Sequence, residues 1–374
     1  MKKLIGRLIG RGKSSPGDFE LFYGGNHLAP KVLIFTEYVN ATYFISFDIP
    51  LRPLHATGKI NIAVASQKHV ELNRDRCWEA WSNKFQPDVV VMTRYGQADG
   101  KKILDYFIQC GVPVIYHIDD DLLDIPESLG AEIQQRNGAK DVIATRTYLL
   151  KNCDLIYAST LELENLMQNR FPDQRVYSGI YAPYMGELIK PGQTKSRTKQ
   201  VIGYMGSKGH QHDLELVVPA LECLLDERAD LEFEVFGTIK MPIALERFGS
   251  RVRSRSVQKS YVDFLDTLAE LGWDIGLAPL VDAPFNQCKA PTKFVEYTAC
   301  GIPVVASNIC VYKEVIPENG GLFAEHDWYN PILEYLDNPL RRQSAIITSQ
   351  KYCESKYSVQ MLQQQLINIF ETIK

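Results

Sequence analysis

The sequence predicts an α/β protein built as two Rossmann-like halves joined by a polar linker. Three observations carry that prediction. Short apolar runs alternate with longer helical patterns, the signature of α/β layers. The runs are apolar at nearly every position, as parallel strands covered on both faces require. The rhythm also stops near residue 187 and restarts near residue 201. With 374 residues and 45% hydrophobic side chains, the chain can bury two cores of ordinary domain size.

Residues 1–29 read as an N-terminal tail. The start, from Met1 to Arg11, is basic and only briefly apolar, without the long apolar segment and cleavage site of a signal peptide. Peripheral contact with anionic lipid through this start is the alternative to a simple tail. The first domain, 30–186, has strands expected at 31–35, 61–65, 88–92, 113–118 and 154–158. A helix around 101–110 is stopped by Gly111 and Pro113. Residues 187–200 are polar, poor in large apolar side chains, and read as the linker. The second domain, 201–356, has strands expected at 201–205, 233–236, 274–278 and 303–306, with a helix at 212–225. In 357–374, Met361, Leu362, Leu366, Ile367, Ile369 and Phe370 recur at helical spacing. That helix is expected to pack back on the first domain.

A net charge of −4, from 41 basic and 45 acidic side chains, gives no footprint for nucleic acid. Eight cysteines, at 77, 110, 153, 223, 288, 300, 310 and 353, form no C-x-x-C pair, and several sit in apolar segments. Reduced thiols of a cytoplasmic protein fit better than a disulfide framework or a zinc site. No apolar stretch is long enough to span a bilayer. A cytoplasmic protein is therefore expected, at the inner membrane surface if the basic start meets lipid.

Chemistry concentrates in a few segments. Gly203-Tyr204-Met205-Gly206-Ser207-Lys208-Gly209-His210 follows an expected strand and precedes an expected helix. Glycines bring backbone N–H groups close to a ligand, a helix start favours anions, and Lys208 can reach a phosphate oxygen. A plain glycine turn is the alternative, and the run matches neither common phosphate-loop fingerprint. The position at the carboxyl end of a strand favours ligand binding through Gly206, Ser207, Lys208 and Gly209. His210 and His212 lack a third metal ligand and read as polar loop residues that line the phosphate site, so no metal is expected.

A second segment runs from Pro284 to Ser307. A short helix is expected to start near Pro291 and stop at Gly301, with Lys289, Lys293 and Glu296 sharing one face. Two lysines beside one carboxylate suit a nucleotide diphosphate, the lysines for phosphates and Glu296 for a ribose diol. A solvated face with an incidental ion pair is the alternative, and pattern alone leaves both open. The third run is His117-Ile118-Asp119-Asp120-Asp121. Adjacent carboxylates repel unless solvated, cation-bound or functional. Asp119 and Asp120 are candidates for orienting or deprotonating an acceptor hydroxyl, and Asp121 for a helix cap. His117 fits a site or a buried strand equally. Arg251, Arg253 and Arg255 read as a solvated strand edge, with Arg255 or Lys259 as alternative nucleotide contacts.

The stretch Lys289-Ala290-Pro291-Thr292-Lys293-Phe294-Val295-Glu296-Tyr297, followed by Ala299-Cys300-Gly301-Ile302-Pro303-Val304-Val305-Ala306-Ser307, resembles the donor signature of GT-B glycosyltransferases of the glycogen synthase and sucrose synthase group. Its form is similar to a branch of bacterial O-antigen and polysaccharide transferases. The resemblance implies two Rossmann-like domains facing a cleft, with a nucleotide-diphosphate sugar bound in the second domain as substrate and no cofactor. It implies transfer to a saccharide or lipid-linked saccharide, with the anomeric configuration retained. Glu296 matches the second glutamate of the family's paired carboxylates, which holds the ribose. The first falls at Cys288, a thiol that cannot replace it, so sugar handling either differs from the family's or shifts to Asn286 or Lys289. Residues 44–52 occupy the place of the family's first glycine-containing loop without its glycines, with Arg52 an expected anion contact facing the cleft. A nucleotide-sugar epimerase of the same shape, a degenerate nucleotide-sugar-binding scaffold and a dehydrogenase are the rival readings. The dehydrogenase lacks its fingerprint.

Overall fold

A computed structural model describes residues 20–22, 26–73, 76–186, 188, 199–256 and 261–373. Most of the expected tail, the expected linker except 188, 199 and 200, and Lys259 lie outside the described residues. The chain divides into two compact units. The first unit takes the residues up to Ile125, then Gln134–Tyr181 and everything from Val359 on; the second takes Pro126–Ile133 and Ala182–Ser358.

The first unit holds β1 (Glu20–Phe22), β2 (Lys31–Thr36), β3 (Asn61–Ser66), β4 (Val89–Thr93), β5 (Val114–Ile118), β6 (Leu155–Ala158) and β7 (Val176–Ser178). They form one sheet in the order β1-β3-β2-β4-β5-β6-β7, parallel except for β1. The register along β2 runs from Lys31 opposite Asn61 to Thr36 opposite Ser66. Successive side chains of a strand face opposite ways. Val32 and Ile34 pack with Tyr43, Phe47, Leu51 and Leu54, while Phe35 meets Trp81, Tyr95 and Phe107. Both faces are covered, which is why these strands carry no polar alternation. The helix Val359–Thr372 inserts Leu362, Leu366, Ile369 and Phe370 into the same core.

Two local expectations need correction here. Residues 44–52 are not a loop: a π-helical turn, Phe44–Asp48, continues into the helix Ile49–Ala56. The Asn40 side chain accepts the Tyr43 N–H at 3.2 Å to start this run, and the apolar face just named holds it to the core. Nor does any helix start at Asp121, because the next helical residues are the 3₁₀ turn Glu127–Leu129. Asp121 instead pairs with both terminal nitrogens of Arg170, one of them at 2.8 Å.

The second unit holds β8 (Gln200–Gly206), β9 (Leu231–Gly237), β10 (Val252–Arg255), β11 (Ile275–Ala278), β12 (Val304–Ser307) and β13 (Leu322–Ala324). All pairs are parallel, in the order β10-β9-β8-β11-β12-β13. Counted from β8, this is the 3-2-1-4-5-6 order of dinucleotide folds, whose switch point lies between β8 and β11. The helix expected at 212–225 is two, Gln211–Glu215 and Val218–Glu227. Pro219 explains the break, since it has no N–H to give the Glu215 carbonyl four residues back and it suits a new first turn.

Three contacts fix the strand ends around the switch point. A Cβ on Gly203 would lie 1.8 Å from the Trp273 ring, so only glycine lets that ring cross β8. Gly237 adopts φ +124°, and a Cβ there would meet the Gly206 carbonyl oxygen at 2.2 Å. Tyr297 bridges β8 and β11: its hydroxyl accepts the Met205 N–H at 2.9 Å and donates to the Leu277 carbonyl at 3.1 Å. At the far edge, Arg253 and Arg255 of β10 bind Glu232 and Glu234 of β9 at 3.0 and 2.9 Å. That edge is therefore a ladder of ion pairs.

Candidate active site

In the second unit the glycine loop and the segment after β11 lie at the carboxyl ends of the two strands flanking the switch point. Ser207 and Lys208 are exposed, and Gly206 and Gly209 half-buried. The loop is braced from β9: the Gly206 carbonyl accepts the Thr238 N–H at 3.1 Å, and the Lys208 N–H reaches the Thr238 hydroxyl at 3.2 Å. A 3₁₀ turn, Lys208–His210, follows, and then the five-residue helix Gln211–Glu215. So short a helix has little macrodipole, and the cationic character of the site falls to its lysines.

Lys293 and Glu296 lie on the helix Thr292–Ala299, three residues apart, as expected. Lys289 precedes that helix, in the turn after Pro284–Gln287, and its ammonium sits 5.0 Å from the Phe285 ring centre. The Lys293 ammonium sits 5.6 Å from the Tyr204 ring centre, bringing it back over β8. Burial lowers Lys293 to about 8; Asp213 and Glu296 oppose that shift, while Lys289 adds to it. Glu296 is buried, and burial raises it to about 7 against the pull of a Tyr261 hydrogen bond and Lys293. Tyr261 donates its hydroxyl to one Glu296 oxygen. Asn286 spends its amide N–H on the Val281 carbonyl at 2.9 Å, and Cys288 is buried.

Two residues here were not singled out from sequence. Asp213 is buried; it faces His210 Nδ1 at 2.8 Å with one oxygen and accepts the Val281 N–H at 2.9 Å with the other. Tyr261 was missed as well. The i,i+3 spacing of His210 and Asp213 was a usable signal, whereas nothing local marks Tyr261.

In the first unit, the ends of β4 and β5 assemble a buried polar network. Asp119 accepts Thr42 Oγ1 at 2.7 Å, Arg94 at 2.6 Å and the Tyr181 hydroxyl at 3.0 Å. Burial alone would raise Asp119, but Arg94, His117 and those hydroxyls outweigh it and hold the carboxyl below its usual range. Asp120 meets the same Arg94 nitrogen at 3.3 Å and keeps 22% of its side chain exposed. Arg94 itself sits at φ +54°, a strained position for a residue with a side chain. His117 is fully buried, with Nδ1 2.9 Å from Thr93 Oγ1 and Nε2 3.3 Å from Ser46 Oγ. Burial lowers it to about 4, so the ring is neutral. Arg52 pairs with Asp48 at 2.5 and 3.0 Å, one helical turn away.

Residues 199–338 match the family described as "Glycosyl transferases group 1". Comparison with curated proteins gives no match. Among solved structures, the chain is similar to HepE of Anabaena in complex with UDP-glucose, with TM-score 0.63 and 13% identity over 91% of this chain and 99% of that one. A glycosyltransferase from Rickettsia africae gives TM-score 0.65 and 10% identity over 93% and 99%. WaaG, a glycosyltransferase involved in lipopolysaccharide biosynthesis, gives 0.60 and 14% over 91% and 99%. Such identities speak for the fold alone, while the family match speaks for the second unit. Residues 199–338 are thus similar to the group 1 glycosyl transferases, within a chain of GT-B fold.

Proposed function

We propose that the protein transfers a glycosyl group from a nucleotide-diphosphate sugar to a saccharide or lipid-linked saccharide in cell-surface polysaccharide synthesis. One observation carries the reading. Within the stretch similar to group 1 transferases, the ends of β8 and β11 bring the loop Gly206–Gly209 into one unit with Lys289, Lys293 and Glu296. The lysines neutralise the diphosphate as charge develops on it, the electrostatic term that most helps such a reaction. Glu296 accepts the ribose hydroxyls, and Tyr261 yields its place to them. HepE binds UDP-glucose, which makes UDP the first nucleotide to try. In the first unit Asp120, more exposed than Asp119, is the carboxylate for an acceptor hydroxyl, with Asp119 and neutral His117 holding its surroundings in place. The resemblance carries transfer with retention and a hexosyl group.

A panel of nucleoside diphosphates and their sugars, read by thermal denaturation, tests this. One nucleotide at 100 to 1,000 times its Kd should stabilise the wild type by roughly 2–4 kcal/mol. Glu296→Ala should abolish the shift. A panel in which no nucleotide moves the wild type would overturn the reading. The second reading, a nucleotide-sugar-binding scaffold, is favoured by one observation: a buried Cys288 stands where the resemblance has a sugar-binding glutamate. Nucleotide binding without turnover of any donor would select it.

A further inference from the structure

His210 closes the glycine loop, its N–H bonded to the Ser207 carbonyl at 3.0 Å. Its Nδ1 lies 2.8 Å from Asp213, and the second Asp213 oxygen holds the Val281 N–H from the loop after β11. Asp213 thereby ties together the two loops that carry the candidate phosphate ligands. Burial opposes charge on Asp213, but the His210 and Val281 hydrogen bonds outweigh it and hold the carboxyl low. An ionised Asp213 needs a donor, so Nδ1 carries the hydrogen and Nε2 keeps its lone pair. No described residue bonds Nε2.

The groups around the ring come from three elements. Lys293 stands on the helix Thr292–Ala299, Lys289 in the turn before it, and Tyr204 on β8, its hydroxyl 3.5 Å from the His210 carbonyl. Lys293 and burial, with Lys289 adding to them, press His210 down to about 3 against the pull of Asp213. The site thus sets two lysines around a neutral ring. A diphosphate bound by those lysines would reverse the local field, and Asp213 would support an imidazolium.

We propose that His210, backed by Asp213, is the proton donor to the departing diphosphate. The inference rests on the transferase reading above. As the bond from the sugar anomeric carbon to the β-phosphate oxygen breaks, its electron pair stays on that oxygen. The proton on His210 Nε2 moves to the same oxygen, and the ring returns to neutral. The acceptor hydroxyl replaces the diphosphate on carbon and gives its own proton to solvent.

The test uses the full chain labelled with ¹⁵N-histidine, with His210 assigned by the signals that His210→Gln removes. The probe is UDP, or whichever nucleoside diphosphate gives the thermal shift. At pH 6 the empty protein should show His210 neutral with hydrogen on Nδ1. At saturating nucleotide both nitrogens should carry hydrogen, and Asp213→Asn should prevent the change. With the donor sugar in hand, His210→Gln should lower kcat about 10²–10⁴-fold with little change in KM. Nucleotide that binds while His210 stays neutral at pH 6 would overturn this proposal and leave the transferase reading standing. A protein that binds no nucleotide overturns both.

Discussion

At the scale of single residues, two carboxylates behave in opposite ways. Glu296 is raised to about 7 from 4.5, so the folded protein holds its proton more tightly than the unfolded chain. Its ionisation costs stability as pH climbs from 4.5 to 7, and the cost is constant above that. Glu296→Gln should therefore stabilise the protein at pH 8, by roughly 3 kcal/mol, and not at pH 4. Urea denaturation at the two values checks this. The same variant should lose nucleotide affinity. Asp119 is held low, so its contribution is present above its ordinary value and disappears as pH falls through the folded one. Asp119→Asn leaves Asp120 as the carboxylate facing the Arg94 guanidinium and should cost roughly 1.5–3 kcal/mol at pH 7, seen as a lower urea midpoint. The Asp119–Asp121 cluster was legible in the sequence, but its meaning was not. Thr42, Arg94 and Tyr181 lie 77, 25 and 62 residues from Asp119, and only the folded sheet brings them together. His210 and Asp213 are three residues apart, yet Val281, which completes their arrangement, is 68 residues from Asp213.

At the scale of elements, strands were the readable part because apolar runs are local. The strand expected at 201–205 is β8, Gln200–Gly206, and that at 61–65 is β3, Asn61–Ser66. β7 was not expected: its three residues are at most half-buried, so it has no apolar run. The helix Ile49–Ala56 was missed because residues 44–52 were read as a loop from their place in the family resemblance, whereas Pro50 sits in a helical first turn. Leu366 is fully buried in the core of the first unit. Leu366→Ala should cost about 2–5 kcal/mol there, measured by urea denaturation. Gly237→Ala meets both a strained φ and a carbonyl oxygen. It should push the Gly206 loop out of place, weakening nucleotide binding along with the fold.

At the scale of the molecule, each unit has its own hydrophobic core and its own pair of tryptophans, Trp78 and Trp81 in the first, Trp273 and Trp328 in the second. A nucleotide held in the second unit should delay unfolding reported by Trp273 and Trp328 in a Trp78→Phe, Trp81→Phe protein. The Trp273→Phe, Trp328→Phe protein should show the smaller shift. Which family the second half resembles was legible, because its signature lies on one short helix and the strand after it. The division of the chain was not fully legible: Pro126–Ile133 belongs to the second unit although its neighbours in sequence belong to the first.

The helix Val359–Thr372 gives the order of synthesis a consequence. A ribosome makes the first unit's sheet early, yet Leu362, Leu366, Ile369 and Phe370, which close its core, emerge after the whole of the second unit. All strands of the second unit have left the exit tunnel by then and can fold first. The nascent first unit waits with an open apolar face, so the half begun earliest finishes latest, and that interval is when chaperones would engage the chain.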